Sequence, residues 1–199
     1  MIEEFKYFLL GLIQGITEFF PISSSGHIEL FKDVASLAHN DPVLLMIIVH
    51  FATALSTVFV YQGRIKNIIH GIIIQYDKSA VSFFLKLSIS TIPIILSFLF
   101  LDTYIDSIFQ NATVLVCIML VCTGLLLIST VFIKDNHNDI SYKHAFFMGL
   151  AQAIAILPGI SRSGSTISTA IFLQIERKKA AEFSFLMGLA PIIGGAIFK

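Results

Sequence analysis

Residues 14–27 of this chain read QGITEFFPISSSGH, and residues 152–166 read QAIAILPGISRSGST. A shift of 138 positions superposes identical residues of the two stretches, namely Gln14 on Gln152, Ser23 on Ser161, Ser25 on Ser163 and Gly26 on Gly164. Both stretches are polar breaks in apolar sequence, and such backbone-rich breaks are costly at membrane depth unless they line a cavity. A duplicated pair of breaks therefore indicates one site at the junction of two repeated halves.

The composition is that of a protein with several membrane-spanning helices. Of the 199 residues, 56% are hydrophobic and 13% are charged, and the mean hydropathy is +0.86. A soluble domain carries about 25% charged residues. The net charge is zero, so no basic patch points to a nucleic acid partner. Cys117 and Cys122 lie in one apolar stretch and are interpreted as buried thiols without a metal or disulfide role.

Apolar length predicts where the chain crosses the bilayer. About 20 apolar residues span a bilayer, and three stretches are long enough: Val43–Tyr61, Val81–Leu101 and Ala112–Ile133. Phe183–Phe198 is a fourth, shorter candidate. The two motif regions, by contrast, break at a proline and continue into a short second segment: Phe5–Ile22 before Gly26–Phe31, and Ala145–Leu157 before Thr166–Ile175.

Lysine and arginine are enriched in cytoplasmic loops. In this chain they are concentrated in some of the polar segments and scarce in others. The basic segments are the polar loop Gln62–Ser79, Lys134–His144 and Glu176–Lys179, whereas Phe31–Pro42 and Asp102–Asn111 are acidic. If the N-terminus and Phe31–Pro42 lie outside, each motif region enters and leaves on one side, the first from outside and the second from inside. We therefore predict an all-α polytopic membrane protein with inverted-topology repeats and two re-entrant helix hairpins.

The repeat also divides the chain. We expect a single integral membrane domain over residues 1–199, with repeat one at about 1–111 and repeat two at about 112–199. The shift of 138 maps Val43–Tyr61 onto the last apolar stretch, but it takes the two following spans past residue 199. The second repeat is therefore expected to be truncated.

The first motif combines acid–base groups with a helix start. Gln14 and Glu18 are four residues apart and share one helix face, and a carboxylate in hydrocarbon should be paired, metal-bound or facing water. The hydroxyls Ser23, Ser24 and Ser25 follow a bend and begin the next helix, where free N–H groups and the helix dipole suit an anion. His27 lies within one turn and can exchange a proton near neutral pH.

The second motif repeats the bend but carries Arg162 at the position of Ser24. Arginine offers a fixed fork of donors that matches phosphate oxygens. The hydroxyls of Ser161, Ser163 and Thr166 surround it in sequence. Two such helix starts meeting from opposite sides would cradle a phosphate or diphosphate. His50, within a spanning stretch, is interpreted as a packing or hydrogen-bonding residue.

Together the motifs resemble the undecaprenyl-diphosphate phosphatase family, also called the bacitracin-resistance family. Its hallmarks are (Glu/Gln)-x-x-x-Glu followed by P-x-S-S-(S/T)-G-H, and P-G-x-S-R-S-G-x-T. The matching residues are Gln14, Glu18, Pro21 and Ser23–His27 in the first motif, and Pro158, Gly159, Ser161–Gly164 and Thr166 in the second. The resemblance covers the whole chain.

The resemblance implies hydrolysis of undecaprenyl diphosphate to undecaprenyl phosphate and inorganic phosphate at the outer face of the bacterial plasma (inner) membrane. This reaction recycles the carrier lipid of peptidoglycan synthesis, and so serves cell-wall biogenesis, cell shape and bacitracin resistance. The family requires Mg²⁺ or Ca²⁺. The implied partners are the polyprenyl diphosphate and membrane lipids, with no nucleic acid; a homodimer is also considered.

The resemblance also implies roles for individual residues. Arg162 would bind the diphosphate, Glu18 and Gln14 would position metal, water or both, and Ser24 or His27 would be nucleophile or proton shuttle. The substrate-binding set would be Gln14, Ser23, Ser25, Ser161, Ser163 and Thr166. Attack by Ser24, by His27 or by metal-bound water all stay open.

Two other functions compete with hydrolysis. Inverted repeats with broken helices are typical of transporters, so the same anion site could serve a lipid-phosphate or anion transporter or flippase. The expected truncation also allows an inactive fragment. Glu18 and His27 beside hydroxyls favour chemistry, because a transporter would need the anion cradle but no acid–base pair.

Overall fold

The computed structural model describes residues 2–35, 42–109, 113–134 and 137–198. Within these ranges the chain is all-α apart from one isolated parallel bridge between Asn138 and Ile175, which confirms the predicted all-α class. The helices, in chain order, are α1 Ile2–Phe19, α2 Ser24–Ala35, α3 Pro42–Val60, α4 Gln62–Ile73, α5 Lys78–Phe109, α6 Thr113–Val131, α7 Tyr142–Ile154, α8 Arg162–Phe172 and α9 Arg177–Phe198.

Among the residues that the structure describes, two helices are long and apolar enough to cross a membrane. They are α5, over the 23 residues Lys78–Phe100, and α6, over 19 residues. In α3 the described apolar stretch is shorter, Ile47–Val60. Large apolar side chains are exposed along α5 and α6, such as Leu99 at 73% and Val114 at 73%. Because lipid is as apolar as a protein core, a bilayer accounts for such surfaces.

Three sequence-based interpretations are wrong. The predicted loop Asp102–Asn111 is helical as far as Phe109, because α5 continues past the apolar stretch that ends at Leu101. The predicted loop Gln62–Ser79 contains α4, whose isoleucines Ile65, Ile68, Ile69 and Ile72 follow the spacing of an amphipathic helix. The interspersed basic residues hid this pattern. Cys117 and Cys122 are exposed on α6 rather than buried, because a helix that is apolar all round does not reveal its packed face. Half of the predicted loop Phe31–Pro42, residues 36–41, lies outside the described residues, and the rest belongs to the end of α2 and the first residue of α3.

The core joins α5, α7, α8 and α9. Phe183 and Met187 of α9 pack with Met148 of α7 and Ala170 of α8, and all four are buried. Phe83 of α5 meets the Phe183 ring edge-on at 5.6 Å between centroids. This core fixes α8, and therefore the second motif, against the last helix.

Polar contacts gather the basic segments at one end of the bundle. Arg177 Nη2 donates to the carbonyls of Thr130 at 2.8 Å and Ile133 at 3.0 Å, which completes the last turn of α6. Arg64 Nε donates to Glu182 at 2.7 Å, which ties α4 to α9. The basic residues of α4, of the segment after α6 and of the α9 start therefore share one end.

The start of α5 lies at this same polar end. Asp77 precedes the helix, and its carboxylate accepts from the Ser79 hydroxyl at 2.6 Å and the Ser79 N–H at 2.9 Å. These bonds hold the pKa of Asp77 below its usual range. The cap is therefore formed at neutral pH and is lost as acid protonates the carboxylate.

Gly149 sets the contact between α7 and α5. A Cβ added to Gly149 would lie 2.3 Å from the Ser90 carbonyl oxygen, and Ser90 is fully buried. Gly124, in α6, has nothing within 4 Å of an added Cβ. The two glycines thus occupy similar apolar helices but differ in the space around them.

We predict that Gly149→Ala destabilises the protein by about 1–3 kcal/mol, because backbone must move to relieve overpacking. Gly124→Ala is the matched control, and it should be neutral or stabilising by up to about 1 kcal/mol through helix propensity. Thermal unfolding of the detergent-purified protein measures both. Equal unfolding temperatures for the two variants would contradict the close α5–α7 contact.

Candidate active site

Each motif forms the break between two helices. α1 ends at Phe19 and α2 begins at Ser24, while α7 ends at Ile154 and α8 begins at Arg162. In the first break Ser23 Oγ accepts the Gly26 N–H at 3.3 Å, and in the second Ser161 Oγ accepts the Gly164 N–H at 3.0 Å. The same hydroxyls lie 3.5 Å from Ser25 Oγ and 3.4 Å from Ser163 Oγ. Residues 138 positions apart thus make equivalent helix caps.

The two breaks pack directly against each other. A Cβ on Gly26 would lie 3.1 Å from Gly159 Cα, and a Cβ on Gly164 would lie 2.7 Å from the Pro21 carbonyl oxygen. The shift of 138 takes Gly26 to Gly164 and Pro21 to Gly159, so the two contacts exchange partners. Such an exchange is the property of a two-fold interface. Glycine at these positions lets the two helix starts meet in one place.

Glu18 lies at the centre of this junction and is 8% exposed. Its Oε2 accepts from Ser24 Oγ at 2.5 Å and from Gln14 Nε2 at 3.2 Å. Its Oε1 accepts from Arg162 Nη2 at 2.6 Å. The structure therefore brings four of the expected site residues into one bonded group, with an arginine of the second motif on a carboxylate of the first.

Arg162 is held from two sides. Besides Glu18, its guanidinium donates through Nη1 to the Gly188 carbonyl of α9 at 3.0 Å. A Cβ on Gly188 would lie 3.0 Å from Arg162 Cζ, so glycine makes room for the guanidinium. These bonds use two of the five N–H donors of arginine. The side chain is 25% exposed, which leaves it open to an anion.

The His27 ring is turned towards its own helix start. Its Nδ1 lies 2.8 Å from the Ser23 carbonyl oxygen. Because a carbonyl only accepts, Nδ1 carries the proton and Nε2 of the neutral ring is an acceptor. Ser23 has a φ of 72°, which is uncommon for a residue other than glycine, and this turn aims its carbonyl at the ring.

The remaining hydroxyls of the second motif are engaged within the protein. Thr166 is 1% exposed, its Oγ1 donates to the Arg162 carbonyl at 3.0 Å, and it lies 2.6 Å from Ser184 Oγ of α9. The Ser161 N–H donates to Thr123 Oγ1 at 3.1 Å, and Thr123 donates to the Gly159 carbonyl at 3.1 Å. Thr123 of α6 therefore fixes the shape of the second break.

Sequence reasoning missed the residues that neighbouring helices add to the site. Thr53 of α3 accepts from Gln14 Nε2 at 3.4 Å, and His50 Nε2 lies 4.0 Å from Glu18 Oε2. Ser184 and Gly188 of α9, and Thr123 of α6, also belong to this group. The available signal was a polar residue within an apolar helix, but that signal does not say which way the residue faces.

The donors suit a hard cation to a limited degree. Gln14 Oε1 is buried without a hydrogen-bond partner, and the Nε2 of the same amide donates to the Glu18 carboxylate. Among the described residues, no group of three or more His, Cys, Asp or Glu side chains is placed to hold a metal. One carboxylate and one amide oxygen fit Mg²⁺, which takes its other ligands from water and substrate phosphates.

Comparison with known proteins places the chain in a family. The model of the family described as "Bacitracin resistance protein BacA" matches residues 7–199. Relatives named undecaprenyl-diphosphatase include those of Christiangramia forsetii, 42% identical over 98% of this chain and 74% of the relative, and Bacteroides thetaiotaomicron, 40% identical over 95% and 72%. That of Methanococcus maripaludis strain C7 is 37% identical over 96% and 76%. This coverage confirms the family indicated by the two motifs: the chain belongs to the BacA family of bacitracin resistance proteins.

Proposed function

We propose that this protein hydrolyses undecaprenyl diphosphate to undecaprenyl phosphate and inorganic phosphate. The observation that carries the proposal is the Arg162–Glu18 pair, 2.6 Å apart at the junction of two helix starts. An arginine and two helix starts suit the diphosphate, and a carboxylate bonded to a hydroxyl suits its cleavage. The relatives named undecaprenyl-diphosphatase support the same substrate.

The Glu18–Arg162 ion pair belongs to the substrate-free state, and substrate binding would break it. A diphosphate competes with Glu18 for the Arg162 guanidinium, because both are anions that a planar fork of donors can bind. When the guanidinium turns to phosphate oxygens, Glu18 loses its strongest cationic partner. Its carboxylate then becomes a better proton acceptor, at the moment when Ser24 Oγ is hydrogen-bonded to it.

We assign Ser24 as the nucleophile, because its Oγ donates to Glu18 Oε2 at 2.5 Å. The Ser24 oxygen attacks the terminal phosphorus, its proton passes to Glu18, and the bond to the undecaprenyl phosphate breaks. Water then attacks the phosphoserine: its OH joins the phosphate, and the Ser24 oxygen leaves with the proton held by Glu18. The second water proton goes to His27 Nε2, which is an acceptor because Nδ1 donates to Ser23.

Other residues hold the substrate and its counterion. The hydroxyls at the two helix starts would bind the substrate, namely those of Ser23, Ser25, Ser161 and Ser163. Thr166 would contribute indirectly, through its hydrogen bond to the Arg162 carbonyl. Gln14 Oε1 and Glu18 would hold Mg²⁺ or Ca²⁺. A bound cation would neutralise charge that develops on the diphosphate oxygens.

The same proposal includes the membrane arrangement. The basic segments share one end of the bundle, which supports a cytoplasmic location for that end. The exchanged contacts at the two breaks support inverted repeats with re-entrant hairpins. The active site would open to the outer face of the plasma membrane. Hydrolysis there would recycle the cell-wall carrier lipid and confer bacitracin resistance. The repeat boundaries near residue 111 and a homodimer stay predictions.

We predict that Arg162→Ala lowers phosphate release from undecaprenyl diphosphate by about 1,000-fold or more, as loss of a charge-neutralising arginine does in phosphoryl transfer. Glu18→Gln should lower it by about 100-fold or more, because an amide cannot accept the Ser24 proton. Purified protein in detergent, with released phosphate as readout, measures both.

Arg64→Ala is the matched control for Arg162→Ala. Arg64 also forms an ion pair, with Glu182 at 2.7 Å, but its side chain is 45% exposed and lies at the polar end of the bundle. Its loss should leave the turnover rate near that of the unmodified protein. Full activity in both Arg162→Ala and Glu18→Gln would refute the site. Lipid movement across a vesicle membrane without phosphate release would instead support the flippase alternative.

The nucleophile has its own test. With substrate labelled in the terminal phosphate and an acid quench, we predict that label is retained on Ser24 and is lost in Ser24→Ala. Ser25→Ala is the control, because Ser25 Oγ bonds Ser23 rather than Glu18 in this structure, so it should still become labelled. Label on His27 would identify His27 as the nucleophile instead. Turnover by Ser24→Ala at an unchanged rate would indicate that water attacks the phosphorus directly.

The topology is tested by cysteine labelling. In a background without Cys117 and Cys122, Val34→Cys should react with a membrane-impermeant maleimide on intact cells, because Val34 is 85% exposed near the predicted outer loop. Lys178→Cys, at the start of α9, should react only after permeabilisation. Reaction of Lys178→Cys on intact cells would contradict the proposed orientation.

A further inference from the structure

Glu18 needs a second partner whenever Arg162 binds substrate. The carboxylate is 8% exposed, and an ionised group in such a place is stable only when it is paired and hydrogen-bonded. In the present structure Arg162 supplies the charge, and Ser24 and Gln14 supply hydrogen bonds. Under the proposed function, on which this inference rests, the diphosphate draws the guanidinium away before Ser24 transfers its proton, and Glu18 must stay ionised over that interval to accept the proton.

His50 is placed to take over. Its Nε2 lies 4.0 Å from Glu18 Oε2, and its side chain is 25% exposed. That distance is about 1 Å longer than an ordinary N–H···O hydrogen bond, so a small rotation of the ring closes it. His50 approaches Oε2, whereas Arg162 binds Oε1. The imidazole can therefore donate to the carboxylate without displacing the guanidinium.

Other contacts of α3 fix the height of His50 beside the carboxylate. Thr53, one turn further along α3, donates to the His50 carbonyl at 2.8 Å and accepts from Gln14 Nε2 at 3.4 Å. Gln14 itself donates to Glu18 at 3.2 Å. Two successive turns of α3 therefore face Gln14 and Glu18 of α1. The contact between Thr53 and Gln14 holds His50 at the level of the Glu18 carboxylate.

The repeat gives an independent observation. The shift of 138 takes His50 to Gly188, and α3 and α9 end at positions 138 apart, Val60 and Phe198. Gly188 binds Arg162 through its carbonyl and leaves space for the guanidinium. His50 of α3 and Gly188 of α9 therefore occupy equivalent positions on either side of one ion pair. Gly188 binds Arg162, and His50 lies near the Glu18 carboxylate.

We propose that His50 is a positioning residue of the active site, which donates to Glu18 Oε2 and keeps the carboxylate ionised and oriented while Arg162 binds the substrate. The role acts through Glu18 rather than on the phosphates. It therefore contributes to turnover after binding, and it contributes little to the affinity for substrate.

The test compares His50→Ala with His50→Gln in steady-state hydrolysis of undecaprenyl diphosphate. His50→Ala should lower kcat by about 10-fold or more, the value of a hydrogen bond to a charged group, with KM within about twofold. His50→Gln should recover most of this loss, because its amide N–H can reach the same oxygen. His70→Ala, at an exposed histidine of α4, is the control and should match the unmodified protein.

An unchanged kcat in His50→Ala would overturn the inference, as would a rise in KM alone or a His50→Gln variant no better than His50→Ala. If His50→Ala fails to fold in detergent, His50→Gln and His50→Asn replace it: the longer amide should be more active, and equal rates would overturn the inference. Full activity in both Arg162→Ala and Glu18→Gln refutes the proposed function itself. An inactive Arg162→Ala beside a fully active His50→Ala refutes this inference alone.

Discussion

A carboxylate that is buried inside a membrane protein must be neutralised by its neighbours, and in this protein that requirement organises the site. Glu18 takes a guanidinium from α8, a hydroxyl from α2 and an amide from its own helix. The guanidinium reaches it only because the two helix breaks meet. The contacts of Gly26 with Gly159 and of Gly164 with Pro21 are therefore conditions for the charge pair as much as details of packing.

The two helix starts are similar in backbone but differ in chemistry. Ser23 and Ser161 cap their helices in the same way. The next residue differs: Ser24 bonds the carboxylate, and Arg162 neutralises it. A symmetric pair could bind an anion from both sides but could not combine a proton acceptor with a cation.

The flanking helices hold this asymmetric pair in register. Thr123 of α6 bridges two backbone groups of the second break, and Ser184 of α9 bonds Thr166 behind the arginine. These hydroxyls lie in apolar helices, where each finds a partner within the bundle rather than in lipid. A shift of α6 or α9 would therefore displace Arg162, although neither helix carries a motif.

The sequence alone was enough to predict the breaks and their chemistry, because proline, glycine and serine in apolar sequence have few structural uses, and because the same residues recur 138 positions apart. It also indicated the helices, since apolar length is a strong signal, although it missed α4, where lysine and arginine interrupt the isoleucine spacing. The sequence could not show which side chains of α3, α6 and α9 face the site, and the assembled bundle does. A helix in lipid is apolar on every side, so its sequence does not record which face packs, and His50, Thr53, Thr123, Ser184 and Gly188 acquire their partners only when the bundle is assembled.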